Sequence, residues 1–156
     1  MTERQKEAQK KMNQMKVEFA AISENEAFAR LTAAAFLSRL DPTVDELTEI
    51  KTAVSEAVSN AVIHGYGGGS LEQSVVLSCE YDEGGTVKLI IEDGGAGISD
   101  IEQARRPLFT TGSPEERSGM GFTVMESFMD RVLVESEEGK GTRVTLIKTL
   151  DISYGA

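Results

Sequence analysis

Residues 43–65 read TVDELTEIKTAVSEAVSNAVIHG, and this stretch decides the fold class. Thr43 and Glu46 form a capping box, in which the threonine oxygen and the glutamate carboxylate satisfy free amides at a helix start. Apolar residues then recur at the spacing of one helix face. Gly65 stands where a helix ends in a left-handed residue. The stretch therefore predicts a long amphipathic helix that reaches His64.

Upstream of this helix the chain predicts a second helix and a short strand. Ser23 and Glu26 have the spacing of another capping box. The helix after them is expected to bury a stripe at helical spacing, formed by Phe28, Leu31, Ala35, Phe36 and Leu40. Residues 17–22 alternate loosely, as in a strand, and residues 1–14 are interpreted as a flexible N-terminal arm.

Downstream of Gly65 the hydrophobic period changes from that of a helix to that of strands. Strands are predicted at 75–81, 87–92, 131–135 and 142–150, with a helix at 122–129. The first two strands are predicted to form a hairpin through Gly84 and Gly85. Residues 98–120 are expected to hold a short helix, opened by Ser99 and Glu102, within a segment long enough to act as a functional lid. The layout predicts an α/β two-layer sandwich at residues 15–150, with helices on one face of a mixed, mostly antiparallel sheet. Residues 151–156 would form a C-terminal tail.

Composition excludes several classes of function. The chain has 156 residues and a formal charge of −10, which argues against binding to a phosphate backbone as its main role. A single cysteine excludes an internal disulfide framework and a multi-cysteine metal site. No apolar run reaches the roughly 18 residues that a membrane span requires. We therefore expect a cytoplasmic protein without direct contact to nucleic acid or membrane.

Two polar side chains interrupt the apolar surroundings of the long helix. Glu56 and Asn60 stand four residues apart, so they share one helix face. A carboxylate and a carboxamide beside so much apolar surface need polar partners, which an ion and a substrate hydroxyl would supply. The alternative is a solvated polar stripe on an ordinary amphipathic helix.

Two glycine-rich segments could approach a ligand with their backbone. Asp93 is followed by Gly94, Gly95, Ala96 and Gly97 at a strand end, where the carboxylate could accept from the exocyclic amine of a base. Gly119 and Gly121 precede a predicted helix, whose free amides and dipole favour a phosphate. Ordinary turns remain the alternative for each segment alone. No P-loop motif is present.

Taken in order, these motifs carry a resemblance that none of them carries alone. The run from Glu56 through Asn60 to Gly65, followed by Asp93-x-Gly95-x-Gly97, Gly119-x-Gly121 and Gly141-Thr142, resembles the GHKL ATP-binding fold. The stretches SENEAFAR, DELTEIKTAVSEAVSNAVIHGY and RPLFTTGSPEERSGMGFTVME are similar to those of the bacterial anti-sigma-factor serine kinases, specifically the anti-sigma-F factors of endospore formers. The resemblance covers about residues 15–150.

The resemblance implies ATP or ADP and Mg²⁺ as cofactors and assigns catalytic roles. Asn60 would bind the Mg²⁺ that bridges the phosphates, and Glu56 would act as general base, which agrees with the need of a serine hydroxyl for a positioned base. Arg117, the cation nearest the phosphate loop, could reach the γ-phosphate or be a surface arginine. His64, at a helix end, is expected to be a capping or packing residue.

The resemblance also assigns residues around the nucleotide. Asp93 would accept from the adenine amine, and Thr142 would lie near the adenine. The remaining contacts would come from glycines, with Gly95 and Gly97 lining the base and Gly119 and Gly121 placing amides near the phosphates. Many relatives carry a third glycine in the phosphate loop; Thr123 stands at that position here, where a first helical turn is expected.

The partners implied are a sporulation sigma factor, an anti-anti-sigma factor phosphorylated on serine, and a second copy of the chain. The dimer would form through the first strand and first helix, where Phe28, Leu31 and Phe36 could pack, although they could equally serve the core. Arg30 is expected to point largely to solvent, where it could contact an acidic patch on a partner or be an ordinary solvated helix charge. Two alternatives remain: a detached sensor-histidine-kinase ATPase domain, and a nucleotide-dependent binding module without kinase activity.

Overall fold

The computed structural model of the protein describes residues 9–105 and 121–152. The strands are β1 (Lys11–Ala21), β2 (Ser70–Asp82), β3 (Thr86–Asp93), β4 (Arg131–Glu137) and β5 (Gly141–Thr149). The α-helices are α1 (Asn25–Leu37), α2 (Val44–Asn60), α3 (Ile101–Ala104) and α4 (Gly121–Phe128). A 3₁₀ turn, Ser38–Leu40, follows α1, and a π-helical turn, Ala61–Gly65, continues α2. No helix in the described ranges is long and apolar enough to cross a membrane.

The strands form one five-stranded sheet in the order β1-β2-β3-β5-β4. The α/β two-layer sandwich is confirmed, with α1, α2 and α4 against one sheet face. Every strand pair in the described ranges is antiparallel, so the sheet is not mixed. Tight turns suffice to join β2 to β3 and β4 to β5. Gly85 has φ of 84° in the first of these turns, as the predicted glycine hairpin requires.

Strand β1 begins earlier than the sequence predicts. It starts at Lys11, so residues 11–14 are part of the sheet and not of a flexible arm. These residues are exposed and, apart from Met12, polar, so they show no alternating apolar pattern. Backbone pairing with β2 nevertheless holds them in the sheet. Lys11 lies opposite Asp82 and pairs with Glu80 at 2.5 Å. Residues 1–8 lie outside the described part of the chain.

Helix α2 provides the centre of the core, as predicted. The capping box at its start is formed: the Glu46 amide donates to the Thr43 hydroxyl at 3.0 Å, and the Thr43 amide donates to Glu46 at 2.9 Å. Its buried face consists of Ile50, Ala53, Val54, Ala57 and Val58, and the helix packs against β3, α1 and α4. The same face continues through Ala61 and Val62 in the π-helical turn.

Helix α1 contradicts two predictions. It begins at Asn25 with Glu24 as its N-cap, and no side-chain capping bond forms there, so the Ser23 capping box is absent. Its fully buried residues are Ala29, Ala33 and Leu37. Of the predicted stripe, Phe36 and Leu40 are partly buried and pack against the core, whereas Phe28, Leu31 and Ala35 are exposed. Small alanines let α1 approach α2 closely, which turns Phe28 and Leu31 outward, at 48% and 59% exposure.

Helices α3 and α4 flank the segment 106–120, which lies outside the described residues together with most of the predicted lid. Asp100, and not Ser99, caps α3, because its carboxylate accepts from the Gln103 amide at 3.0 Å. The carboxyl end of α4 is fixed to the sheet: Lys148 of β5 donates to the Phe128 carbonyl at 2.8 Å and pairs with Glu49 of α2 at 2.9 Å.

The carboxyl end of the described chain stays attached to the domain. The Asp151 amide donates to the Glu46 carboxylate at 3.0 Å, and Ile152 packs against the core. The predicted tail 151–156 is therefore anchored at its first two residues. Residues 153–156 lie outside the described ranges.

Candidate functional site

A cavity of about 320 Å³ opens between the end of α2, the loop after β3, helix α3 and the start of α4. Its lining residues include Asn60, His64, Gly65, Asp93, Gly97, Gly121 and Thr142. These residues are spread over more than eighty positions of sequence, yet the sequence groups all but His64 and Gly65 as candidate ligand contacts. The structure therefore brings the separate motifs to one place.

Asn60 is the last residue of α2 and reaches the cavity from its helix side. Its buried Nδ2 atom has no hydrogen-bond partner among the described residues. A buried amide without a partner is costly, so a polar ligand atom at this position would be favoured. Glu56 lies one turn earlier, is half-buried and does not line the cavity itself. The shared helix face is present, with Asn60 inside the cavity and Glu56 at its margin.

The π-helical turn Ala61–Gly65 widens the last turn of α2. Single π turns of this kind are frequent at functional sites because they redirect side chains without ending the helix. Here the turn keeps Ala61 and Val62 in the core and directs His64 and Gly65 to the cavity. His64 is thus at a helix end, as predicted, and is also part of the cavity wall.

Asp93 ends β3 at the floor of the cavity. Its Oδ1 accepts from the Gly95 amide at 2.9 Å, and the Thr142 amide also donates to the carboxylate. Burial raises the pKa of the Asp93 carboxyl above its usual range, although these two donors oppose the rise. The group is a buried acceptor that gains from a further donor, such as an amine on a ligand.

The glycines of the loop allow close contact between two backbones, more than they allow a ligand to approach the loop. A Cβ on Gly95 would overlap the Gly65 carbonyl, and a Cβ on Gly97, which has φ of 76°, would overlap the Glu137 carbonyl. Gly97 lines the cavity, whereas Gly95 lies behind it. The loop can therefore reach its position only because no side chain separates these backbones.

Thr142 lies opposite Asp93 in the pairing of β3 with β5 and also lines the cavity. Its hydroxyl lies 2.8 Å from that of Ser136, which accepts from the Ile98 amide at 2.7 Å. Ser136 thus ties the threonine to the loop after Gly97. Sequence reasoning missed Ser136, because nothing in the pattern of β4 distinguishes it from an exposed serine.

The amino end of α4 forms the fourth wall of the cavity. Gly121 and Phe122 line it and are buried. Thr123 occupies the first turn of α4, as expected. Gly119 and Arg117 lie outside the described residues, so their predicted roles stay predictions.

An apolar wall completes the cavity, and the sequence analysis did not assign it. It is formed by Ile91, Ile98, Phe122 and Val144. Strand alternation could have found Ile91 and Val144, because each stands two residues from a candidate contact, Asp93 or Thr142. A planar apolar ligand would fit between this wall and the polar floor.

A polar cluster lies beside Glu56, where α1 contacts α2. Arg30 donates to the Ser55 hydroxyl at 3.4 Å and is only partly exposed, so the expectation that it points to solvent is wrong. Burial raises the pKa of Glu26, with Arg30 opposing the rise and Glu56 adding to it. Glu26, Arg30 and Glu56 therefore share one electrostatic environment.

This fold and cavity define a class of nucleotide-binding domain, and the family described as "Histidine kinase-like ATPase domain" matches residues 19–148. The fold is also similar to the crystal structure of the RsbU and RsbW domains of a Mycobacterium tuberculosis protein, with a TM-score of 0.66 and 19% identity. That similarity covers 89% of this chain and 33% of the other.

Closer relatives are proteins named anti-sigma F factor. The protein of Geobacillus kaustophilus is 60% identical over 139 residues, which is 87% of this chain and 92% of the relative. The protein of Bacillus licheniformis is 55% identical over 144 residues, which is 90% of this chain and 95% of the relative. This chain belongs to the anti-sigma F factor family and carries its ATP-binding domain.

If Asp93 accepts from the adenine amine, as the sequence predicts, the raised pKa of its carboxyl should make nucleotide binding depend on pH. An amine that donates to the carboxylate favours its ionised form, so ADP should bind more tightly as pH rises through the raised pKa and reach a plateau above it. Below that pKa the affinity should fall by up to about tenfold per pH unit. Isothermal titration calorimetry of ADP across this range measures the effect.

Asp93→Asn is the matched variant, because it cannot ionise and keeps nearly the same shape. The difference between the two pH profiles isolates Asp93 from the other titrating groups, His64 and the ADP phosphates. Profiles of equal slope would contradict an ionised Asp93 as the acceptor.

Proposed function

We propose that the protein is an ATP-dependent protein serine kinase and an anti-sigma factor. It would bind and inhibit a sporulation sigma factor and phosphorylate a serine on its anti-anti-sigma antagonist. The observation that carries the kinase proposal is the placement of Glu56 and Asn60 one turn apart on α2, with Asn60 lining the cavity, its buried Nδ2 atom without a partner among the described residues, and Glu56 outside the lining.

The cavity suggests how ATP would be oriented. The adenine would lie against the apolar wall, with its amine donating to Asp93 and Thr142 nearby. Gly97 would approach the base with its backbone. The phosphates would point to the amino end of α4, where the first helical amides and the helix dipole favour an anion. Gly119 and Arg117 are proposed to act at the same end.

Asn60 is proposed to hold Mg²⁺ together with the phosphates. The described residues contain no group of three or more acidic, histidine or cysteine side chains that could hold a metal alone. That composition suits Mg²⁺, which commonly takes one or two protein oxygens and completes its shell with phosphate oxygens and water. When bound, Mg²⁺ would neutralise phosphate charge.

Glu56 is proposed to act as the general base. Its carboxylate would take the proton of the incoming serine hydroxyl while the serine oxygen bonds to the γ-phosphorus and the bond to the β–γ bridging oxygen breaks. The products are phosphoserine and ADP. Placement outside the cavity suits this role, because a base that serves a protein substrate must be reached from outside the nucleotide pocket.

The partner proposals rest on the relatives' printed name and on the resemblance. Anti-sigma F factors are named for a sigma factor, and we propose a sporulation sigma factor as the partner here, in the cytoplasm. Arg30 is a poor probe of that interface, because it contacts Ser55 next to Glu56. An Arg30→Glu variant would place a third carboxylate beside Glu26 and Glu56.

A homodimer through β1 and α1 is also proposed. Strand β1 is a sheet edge, and the outward face of α1 carries Phe28 and Leu31, both large, apolar and about half exposed. Phe28 also stacks edge-on against Phe19 of β1 at 5.9 Å, so the strand and the helix form one continuous surface. Such a surface favours association with a second copy.

Leu31→Asp should convert the dimer to a monomer, because it places a charge in the proposed apolar interface. Sedimentation equilibrium measures the change. Leu133→Asp is the matched control, since Leu133 is 38% exposed on β4, at the opposite edge of the sheet. A wild-type monomer, or equal weakening by both variants, would contradict the proposed interface.

Glu56→Gln should reduce phosphoryl transfer by roughly 10²–10⁴-fold, the range for loss of a general base, while ADP affinity stays near the wild-type value. The assay follows label from ATP to serine on candidate partner proteins. Glu135→Gln, an exposed carboxylate on β4, is the control that should leave transfer unchanged.

The same assay separates the kinase from its two alternatives. Label on histidine would support a sensor-kinase ATPase domain, and tight ATP binding without transfer would support a binding module. Equal losses of transfer and ADP affinity in Glu56→Gln would assign the residue a structural role.

Asn60→Ala should weaken ATP binding strongly when Mg²⁺ is present and only slightly in EDTA, because the proposed metal contact exists only in the first condition. Fluorescence titration with a labelled nucleotide measures both affinities. Asn13→Ala, on β1, should change neither. A similar loss in both conditions would mean that Asn60 supports the fold and not the metal.

A further inference from the structure

The Tyr66 side chain joins the loop after β3 to strand β2. Its hydroxyl accepts from the Gly94 amide at 2.7 Å and donates to the Ser74 carbonyl at 2.8 Å. Gly94 begins the loop after Asp93, and Ser74 lies in β2. Tyr66 itself follows the π-helical turn, so its position is set by the end of α2.

Three consecutive amides of the loop each have a different acceptor. The Gly94 amide donates to Tyr66, the Gly95 amide to the Asp93 carboxylate, and the Ala96 amide to the Gly65 carbonyl at 2.8 Å. The Gly95 bond lies within the loop, and the Ala96 bond is between backbones. Tyr66 is therefore the side chain from outside the loop that fixes where the loop leaves β3.

Fixing this point matters because Asp93 is buried. Burial disfavours an ionised carboxylate, so a loose loop would let the charged side chain turn towards water. The Tyr66 bond keeps the residue next to Asp93 in place, and the Gly95 amide can then hold the carboxylate towards the cavity. The Tyr66 hydroxyl thus affects the contact between Asp93 and a ligand indirectly, by fixing the backbone at Gly94.

We propose that Tyr66 is a positioning residue for adenine selectivity: its hydroxyl holds the loop so that Asp93 can accept from the 6-amino group of the nucleotide. This inference rests on the proposed contact between Asp93 and adenine. It adds a group that touches neither the nucleotide nor the transferred phosphate, and Tyr66 does not line the cavity.

Tyr66→Phe removes the hydroxyl and keeps the ring. ADP affinity should fall by about fivefold, which is the order of the net contribution of a single hydrogen bond. The affinity for inosine diphosphate, whose C6 carbonyl cannot donate to Asp93, should stay the same. The ratio of the two affinities should therefore fall. Calorimetry with each nucleotide measures this ratio, which a purely structural role would leave unchanged.

Tyr81→Phe is the matched control. Tyr81 is buried in β2 away from the cavity, and its hydroxyl accepts a long bond of 3.4 Å from Asn13. This variant can lower the thermal midpoint but should keep the wild-type ratio. An unchanged ratio in Tyr66→Phe, whether both affinities fall equally or neither falls, would overturn the role of Tyr66 alone. A wild-type protein without preference for ADP would overturn the Asp93 contact as well.

Hydrogen exchange of the Gly94 amide tests the geometry without any ligand. The amide should be protected in the wild-type protein and in Tyr81→Phe, and it should exchange faster in Tyr66→Phe. Rapid exchange in the wild-type protein would overturn the proposed hydrogen bond even if the variant failed to fold.

Discussion

The contact of two backbones at Gly65 is the constraint on which the site depends. The end of the long helix and the loop after β3 meet there without any side chain between them, and the Ala96 amide donates to the Gly65 carbonyl. This contact brings a residue of the helix, Asn60, and a residue of the sheet, Asp93, to opposite sides of one cavity. A Cβ on Gly95 would separate them, because the loop would have to move away from the helix.

Helix α2 serves the core and the site with different faces. Its apolar face is completely buried against the sheet, while Asn60 faces the cavity and Glu56 its margin. The π-helical turn makes this division possible at the end of the helix, where Ala61 and Val62 remain in the core. Substitutions in this helix will therefore tend to change stability and ligand binding together, and the matched controls above serve to separate these effects.

Much of the fold could be predicted because local signals and packing agree in it. The capping box at Thr43 and the hairpin glycine at Gly85 are local signals, and the structure contains both. The start of β1 was missed, because edge pairing needs no apolar pattern. The prediction of the buried face of α1 was wrong at Phe28 and Leu31. Close packing of the helices places small alanines inside and leaves these two larger residues outside. Periodicity shows that a helix has an apolar face, but it does not show which face has the space to be buried.

The sequence predicted only some of the residues that form the cavity. Residues that belong to spaced motifs, such as Asn60 and Asp93, could be grouped by their order in the chain. Ser136 and Tyr66 could not, since each acts through a hydrogen bond to a backbone that is distant in sequence. Arg30 was assigned to solvent from helical geometry, but a neighbouring helix accepts its hydrogen bond at Ser55.

The burial of Asp93 has a further consequence for the empty protein. A carboxyl whose pKa is raised in the folded state favours folding below its unfolded pKa, and that contribution is lost as pH rises through the raised value. Above that raised pKa the apo domain therefore contains a carboxylate whose ionised form is disfavoured by burial. The amine of a bound nucleotide would stabilise this carboxylate by donating a hydrogen bond to it. Occupancy of the cavity would therefore be coupled to the free energy of unfolding of the domain, with the nucleotide acting as part of the folded core.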